Sequence, residues 1–135
     1  MSTQQNKALV RRFFDEVWNQ RKLDVVDEVF APKVLFNGRA VGRESIKQIV
    51  TSRLSAFPDI EVTVEDQVAE GDKVSTRRTW RGTQRGEFRG LPPSGKRATW
   101  AQISIVRVGD EGITEDWTVA DDLGLLQQLG SQASS

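Results

Sequence analysis

Long stretches of alternating apolar and polar residues fill the second half of the chain and constrain its fold more than any other feature. From Ile60 the sequence is IEVTVEDQVAEGDKVSTRRTWRG, with an EGDK turn between two alternating runs. From Ala98 it is ATWAQISIVRVGDEGITEDWTVA, with a GDEG turn between two more. A two-residue period interrupted by turn signals is typical of antiparallel hairpins. The sequence therefore predicts about four long strands, paired antiparallel.

The first half of the chain has helical periodicity instead. A helix is predicted from Thr3 to Asn19, a short one over Leu23–Phe30 and a third over Arg43–Ala56, because apolar residues recur three and four positions apart in each. VLFNG is predicted to be a short strand, and DDLGLLQQLG a final turn or two of helix.

Helices that are segregated from an antiparallel sheet define an α+β fold. We expect the sheet to curve around the N-terminal helices as a cone, or α+β barrel, with an apolar internal cavity. Residues 1–135 form one predicted domain, and the small polar residues 131–135 are predicted to be a frayed tail.

The composition limits both partners and chemistry. Nineteen basic and nineteen acidic residues balance to a net charge of +0, so neither nucleic acid nor membrane is an expected partner. No signal peptide or membrane-spanning run is recognised, so a cytoplasmic location is expected. The chain has no His, Cys or Tyr. This excludes His-dependent triads and thiolate sites, and it leaves acid–base work to Asp, Glu or Lys. No metal or cofactor motif is present, so none is expected as a cofactor.

Two adjacent carboxylates, Asp121 and Asp122, interrupt the apolar stretch WTVADDLGLLQQLG. One of them fits the N-cap of the final helix, which is a common role for Asp. Alternation counted from Ile113 through Trp117 instead points Asp121 toward the cavity. Both interpretations hold together if one Asp caps the helix and the other faces inward.

The remaining candidates are polar groups at strand ends and aromatic side chains. Asn37 either occupies a turn or lies at the cavity rim. In VSTRRTWRG, alternation places Arg77 on one face of the strand and Arg78 on the other. Either one of these arginines points into the cavity, or the arginines lie on a solvated or interface face. The aromatic side chains fit a plain core or the walls of a flat pocket. The predicted pocket residues are Asn37, Arg77, Gln84, Phe88, Trp100, Gln102, Trp117, Phe13 and Trp18.

Five segments together resemble the SnoaL-like polyketide cyclase family, within the superfamily of ketosteroid isomerase and nuclear transport factor folds. They are FFDEVWNQRKLDVVDEVFAPKV, GRESIKQIV, AFPDIEVTVEDQVAEGDKVSTR, GTQRGEFRGLPPSGK and EDWTVADDLGLLQQLG, and they extend from about Lys7 to Gly130. The resemblance implies a cone with a deep apolar pocket. It also implies cofactor-free chemistry on aromatic polyketides of antibiotic pathways.

The resemblance implies that Asp121 is the acid–base group of an intramolecular aldol ring closure and leaves Asp122 as the helix cap. Many family members carry a histidine in a GTH segment, where this chain has Gln84 in GTQ. Three hypotheses follow: an anthracycline-type polyketide cyclase, a hydroxylase of the polyketide ring without metal or flavin, and a non-catalytic ligand-binding or dimerisation module. Apolar residues on both faces of ATWAQISIVRV also predict a homodimer through the outer sheet face.

Overall fold

Residues 2–130 are described by a computed structural model with helices on one side of a six-stranded sheet. The predicted tail at 131–135 lies outside the described residues. The α+β fold class is confirmed. The elements are α1 (Thr3–Arg12), a π-helical turn (Phe13–Asn19), a 3₁₀ turn (Leu23–Val25), α2 (Val26–Val29), β1 (Phe30–Phe36), β2 (Arg39–Gly42), α3 (Arg43–Ala56), β3 (Glu61–Glu70), β4 (Lys73–Thr83), β5 (Arg97–Gly109), β6 (Gly112–Ala120) and α4 (Asp122–Gln128).

The first helical segment begins with a capping box. The Ser2 hydroxyl accepts a hydrogen bond from the Gln5 amide at 3.1 Å, and the Gln5 side chain accepts one from the Ser2 amide at 2.9 Å. After Arg12 the helix widens into the π-helical turn. Such turns occur frequently at functional sites. This one carries three aromatic side chains toward the interior.

The sheet has the order β2-β1-β6-β5-β4-β3. Within residues 2–130, its end strands β2 and β3 do not pair with each other, so the sheet curves without closing into a barrel. The predicted long antiparallel strands are β3 to β6. The predicted short strand is longer than VLFNG and pairs in parallel with β6. The β2 strand, which was not predicted, forms a hairpin with β1 across Asn37 and Gly38.

The predicted helix Leu23–Phe30 is wrong at its C-terminal end. Its first turn is 3₁₀, α2 stops at Val29, and Phe30 already has an extended backbone at φ −100° and ψ 143°. Phe30 instead starts β1 and pairs with Ile113 of β6. Long-range pairing to β6 thus overrides the local helical pattern.

The core lies between the sheet and the helices and is rich in aromatic side chains. Trp18 packs edge-on against Trp80 with ring centroids 4.7 Å apart, and Phe57 packs against Trp100 at 5.2 Å. Both pairs have the separations that aromatic side chains prefer. They fix the helical side of the molecule against β4 and β5 on the inner face of the sheet.

The opposite face of the sheet is exposed and partly apolar. Ile105 pairs with Trp117 across β5 and β6, and Ile103 pairs with Val119 in the next row. All four side chains are exposed, and Val119 retains 72% of its surface. We call these four residues the outer apolar patch.

Gly112, at the turn from β5 into β6, lets the two strands pass close to β1. Its φ is +114°, and an added Cβ would collide with the carbonyl oxygen of Val29. We expect Gly112→Ala to lower the free energy of unfolding by about 3 kcal/mol or more, since strain and a backbone collision combine. Urea denaturation measures the change.

Gly71 provides the matched control for this prediction. Its φ is +59°, but nothing lies within 4 Å of an added Cβ. Gly71→Ala should therefore cost only about 1 kcal/mol, from the backbone conformation alone. Equal losses in the two variants would contradict the assigned close approach at Gly112.

Candidate functional site

A cavity of about 330 Å³ lies between the inner face of the sheet, the π-helical turn and α3. This volume is within the range of roughly 300 to 1,000 Å³ typical of small-molecule sites. Its walls are mainly aromatic and aliphatic, with a polar group at each end. The lining residues are Phe13, Phe14, Trp18, Phe36, Asn37, Ile46, Ile49, Val50, Arg53, Arg78, Trp80, Arg89, Gln102, Asp116, Thr118, Ala120 and Asp122.

A β-bulge decides which side chains of β6 enter the cavity. Val108 pairs with Ile113 and Arg107 pairs with Glu115, so Thr114 is an extra residue in β6. The extra residue reverses the alternation after Ile113. Asp116 therefore faces inward, whereas Glu115 on its N-terminal side faces the outer surface and bonds to Arg107.

Asp116 is the buried carboxylate of the cavity. Only 6% of its surface is exposed, and its Oδ1 accepts a hydrogen bond from the Thr118 hydroxyl at 2.5 Å. Burial raises the pKa of the Asp116 carboxyl, because its charged form loses hydration. The Thr118 hydrogen bond and the positive charge of Arg78 oppose this shift. A carboxyl with a raised pKa is suited to take up and return a proton near neutral pH.

Arg78 places a buried guanidinium in the same wall. Its Nε donates to Gln102 Oε1 at 2.8 Å, its Nη1 donates to the Ser104 hydroxyl at 2.6 Å, and its Cζ lies 4.4 Å from the Phe14 ring centroid. Burial lowers the pKa of Arg78 to about 10, and the charge of Asp116 opposes the shift. The guanidinium therefore remains cationic at neutral pH.

Gln102 is fixed by two donors. Its Oε1 accepts hydrogen bonds from Arg78 at 2.8 Å and from Trp80 Nε1 at 2.9 Å. The carbonyl end of the amide is thus occupied by the protein. Among residues 2–130, no acceptor is assigned to its Nε2 group or to Nη2 of Arg78. These N–H groups can therefore donate to an oxygen of a bound molecule.

Asn37 holds the part of β6 that carries Asp116. Its backbone N–H donates to the Asp116 carbonyl at 2.9 Å, and its Oδ1 accepts from the Thr118 amide at 2.8 Å. Its own φ is +47°, which is rare for a residue other than glycine. The β1–β2 hairpin therefore orients Asp116 and Thr118 through the backbone and the side chain of one residue.

The end of the cavity away from Asp116 is bordered by two arginines and a carboxylate. Arg53 comes from α3, where it follows Ile46, Ile49 and Val50 on the cavity-facing side. Arg89 comes from the connection between β4 and β5 and forms an ion pair with Asp122 at 3.3 Å. We call Arg53, Arg89 and Asp122 the mouth cluster.

Four of the predicted pocket residues line the cavity: Phe13, Trp18, Asn37 and Gln102. Phe13 and Trp18 are five positions apart, which is one turn of the π-helical segment. Their role in substrate binding stays a prediction.

The predicted positions of Asp121 and Trp117 in the cavity are wrong. Trp117 is 46% exposed and donates to Glu115 on the outer side. Asp121 is exposed and caps α4, where its Oδ1 accepts from the Gly124 amide at 2.9 Å. The bulge at Thr114 shifted both side chains out of the predicted face. Asp122, which was expected to cap the helix, lines the cavity instead.

The other four predicted pocket residues lie outside the cavity lining. Arg77 is exposed and forms an ion pair with Asp66 at 2.7 Å. Gln84 is buried in the β4–β5 connection, where its Oε1 accepts from the Ser94 hydroxyl at 2.7 Å. Phe88 packs on Phe57, and Trp100 packs between Phe57 and Trp80. These two rings supply core contacts behind the cavity lining.

The sequence analysis missed three charged residues of the site, Asp116, Arg53 and Arg89, and of the two arginines considered it chose Arg77 instead of Arg78. A signal existed for Arg78, since alternation places it on the same face as Trp80. No comparable signal existed for Asp116, because a bulge is invisible in the alternation. Within residues 2–130, no three carboxylates converge where they could hold a metal ion.

Fold and cavity together define a small α+β protein with a curved open sheet and a buried carboxylate in an aromatic cavity. The model of the SnoaL-like polyketide cyclase family matches residues 8–129, and the chain belongs to that family. The resemblance stated from the sequence is thereby confirmed.

Solved structures with the same fold extend this comparison. TsrD from Streptomyces laurentii is 30% identical with a TM-score of 0.89, and the match covers 96% of this chain and 98% of TsrD. IdmH from Streptomyces antibioticus, to which a polyketide cyclase activity is attributed, is 30% identical with a TM-score of 0.83, covering 94% and 99%. AclR from Streptomyces galilaeus, to which a hydroxylase activity is attributed, is 29% identical with a TM-score of 0.83, covering 96% and 98%.

No curated protein matches the chain. In the described part of the chain, the helices are too short or too polar for any of them to span a bilayer.

The pKa of Asp116 should respond to Thr118 in a defined direction. The Thr118 hydroxyl donates to the carboxylate, so Thr118→Val removes a group that stabilises the charged form and should raise the pKa further. Side-chain carbon NMR across a pH titration measures the shift.

Thr118→Ser keeps the hydroxyl and should leave the pKa of Asp116 near its wild-type position. Asp59 supplies an internal reference, because the Thr83 amide lowers the pKa of its carboxyl. An Asp116 carboxyl that titrates at or below its ordinary value in the wild-type protein would contradict the assigned burial.

Proposed function

We propose that this protein is an enzyme that closes a ring in an anthracycline-type aromatic polyketide by intramolecular aldol addition, without a cofactor. The observation that carries the proposal is the inward-facing, buried Asp116 in a cavity with aromatic walls. The family match and the cyclase activity attributed to IdmH support the reaction class.

The proposed reaction begins with proton transfer from carbon. The Asp116 carboxylate takes a proton from a carbon beside a carbonyl group, and an enolate forms. The enolate carbon then attacks a second carbonyl carbon of the same molecule. The proton on Asp116 passes to the new alkoxide oxygen. One C–H bond and the π bond of the attacked carbonyl break, and one C–C and one O–H bond form, so neither an oxidant nor a reductant is consumed.

Two neighbouring groups are suited to stabilise the oxygen on which charge develops. Arg78 remains cationic, and among the described residues neither its Nη2 nor the Nε2 of Gln102 has an acceptor. Both are held in place before the reaction by hydrogen bonds within the protein. Donors that need no rearrangement contribute more in a cavity that excludes water. The aromatic walls hold the substrate chain folded in one reactive conformer.

Ring hydroxylation is the second candidate, favoured by the similarity to AclR. In this reaction Asp116 would deprotonate a reduced, hydroquinone form of the substrate. The hydroquinone would supply two electrons to dioxygen, which gives the hydroxylated quinone and water. Labelled dioxygen distinguishes the candidates, since ring closure introduces no atom from it. The open cavity argues against a module that serves dimerisation alone, whose pocket would be filled by side chains.

Asp116→Asn tests the proposed acid–base group. The amide keeps the shape of the side chain but cannot accept a proton from carbon. We expect the rate of ring closure to fall at least about a thousandfold. The assay uses an aromatic diketone whose side chains can form a six-membered ring, with the product followed by chromatography.

Asp121→Asn is the control, because Asn can still cap α4 and Asp121 lies outside the cavity. Its turnover should stay within about twofold of wild type, as expected for a surface substitution. Loss of turnover in this variant, or its retention in Asp116→Asn, would contradict the assignment of Asp116.

We also propose that two copies of the chain associate through the outer apolar patch. A two-fold contact would bring Ile105 and Trp117 of one copy against the same residues of the other, so the patch covers itself. The charged residues around it are paired within the chain, Asp66 with Arg77, and Asp72 and Glu115 with Arg107. A second copy therefore meets side chains that already have an oppositely charged partner.

Light scattering after size-exclusion chromatography tests this contact. Wild-type protein should have the mass of two chains, and Ile105→Lys should have the mass of one because a charge is placed in the patch. Leu123→Lys alters an exposed apolar residue of α4 outside the patch and should remain two chains. A single-chain mass for wild type would refute the proposed dimer.

A further inference from the structure

The mouth cluster brings two guanidinium groups to one aromatic ring. The Cζ atoms of Arg53 and Arg89 lie 5.1 Å and 5.2 Å from the centroid of Phe88. Both arginines line the cavity, whereas Phe88 is buried behind them. Cations over an aromatic face are held by the ring quadrupole. Phe88 therefore positions both arginines at the cavity entrance.

The charges of the mouth cluster do not balance. Arg89 has Asp122 at 3.3 Å, but no carboxylate of residues 2–130 is within ion-pair distance of Arg53. Burial and the nearby charge of Arg89 lower the pKa of Arg53, and the charge of Asp122 opposes this shift. Two cations and one anion leave a net charge of about +1 at the entrance. An arriving anion would be stabilised there.

The backbone of Arg89 is held in a conformation that costs energy. Its φ is +50°, in the left-handed region. The conformation is fixed by two backbone hydrogen bonds between Phe88 and Leu91, at 3.0 Å and 2.9 Å, and by Glu87, whose side chain accepts from the Gly90 amide at 2.6 Å. The connection thus keeps Arg89 at the entrance through defined contacts.

The mouth cluster is separated from Asp116 along β6. Ala120 lies four residues after Asp116 in β6, a distance of about 13 Å along the strand. Both residues line the cavity, and Asp122 follows at its entrance. A molecule that contacts both ends must be elongated, with its reacting carbonyl remote from its anionic group.

We infer that Arg53 and Arg89 bind a carboxylate of the substrate, which is therefore an aromatic acid held with its carboxylate at the cavity entrance. The planar guanidinium fork matches a carboxylate, and a monoanion balances the net charge of the cluster. A phosphate would bring a charge of about −1.5 to −2 and overcompensate it. This inference rests on the proposed function, because it assigns the substrate class of the same cavity.

Binding of two matched probes tests the inference by calorimetry. Anthraquinone-2-carboxylate and anthraquinone-2-carboxamide share their ring system and differ in charge. Wild-type protein should bind the carboxylate about tenfold more tightly, as expected for charge-assisted hydrogen bonds in a partly exposed site. Arg53→Gln and Arg89→Gln should each remove most of this preference.

Arg85→Gln is the matched control, since Arg85 is an exposed arginine of the same connection that does not line the cavity. It should keep the preference. If Arg53→Gln fails to fold, Arg89→Gln on the exposed connection decides the outcome. Equal affinities for the two probes in wild type, no detectable binding of the carboxylate, or tighter binding of the corresponding phosphonate would each overturn the inference.

Failure of this inference is distinguishable from failure of the proposed function. Asp116→Asn should keep the carboxylate preference, because Asp116 lies at the other end of the cavity. If the preference persists while Asp116→Asn retains turnover, the carboxylate site stands and the proposed acid–base group fails. If the preference is absent while turnover depends on Asp116, the acid–base group stands and the carboxylate site fails.

Discussion

The bulge at Thr114 in β6 is the constraint on which the candidate site depends. One extra residue reverses the alternation, so Asp116, Thr118 and Ala120 face the cavity and Trp117 and Val119 face outward. Bulges occur preferentially next to functional sites, where they redirect side chains. Here the redirected side chain is the carboxylate that the proposed reaction needs. Asn37 then holds the strand at the Asp116 carbonyl and at the Thr118 amide.

Burial shifts the pKa values of the two charged groups of the cavity in opposite directions. It raises the pKa of Asp116 and lowers that of Arg78, so in both cases the charged form is disfavoured. Each charge partly offsets the cost of the other. The result is a carboxyl whose pKa is raised and a guanidinium that stays cationic at neutral pH. Those are complementary properties for forming and stabilising an enolate, and they arise without His, Cys or Tyr.

The sequence predicted the fold better than the site, for physical reasons. Periodicity is a property of whole segments, so the helix at Arg43–Ala56 and the strands β3 to β6 were recognisable. The parallel pairing of β1 with β6 depends on residues more than 75 positions apart and has no local signal. The orientation of a single side chain depends on every residue counted before it. Alternation without the bulge, together with the family resemblance, therefore selected Asp121, whereas the buried carboxylate is Asp116.

The pH dependence of ring closure in wild type and in Thr118→Val tests the central claim most directly. If Asp116 is the base, kcat/KM falls with decreasing pH as its carboxyl becomes protonated. Thr118→Val removes a hydrogen bond to the carboxylate, so this acidic limb should move to higher pH, together with the pKa of Asp116 measured by NMR. Thr118→Ser should restore the wild-type profile. An acidic limb that stays in place while the pKa of Asp116 rises would contradict the claim.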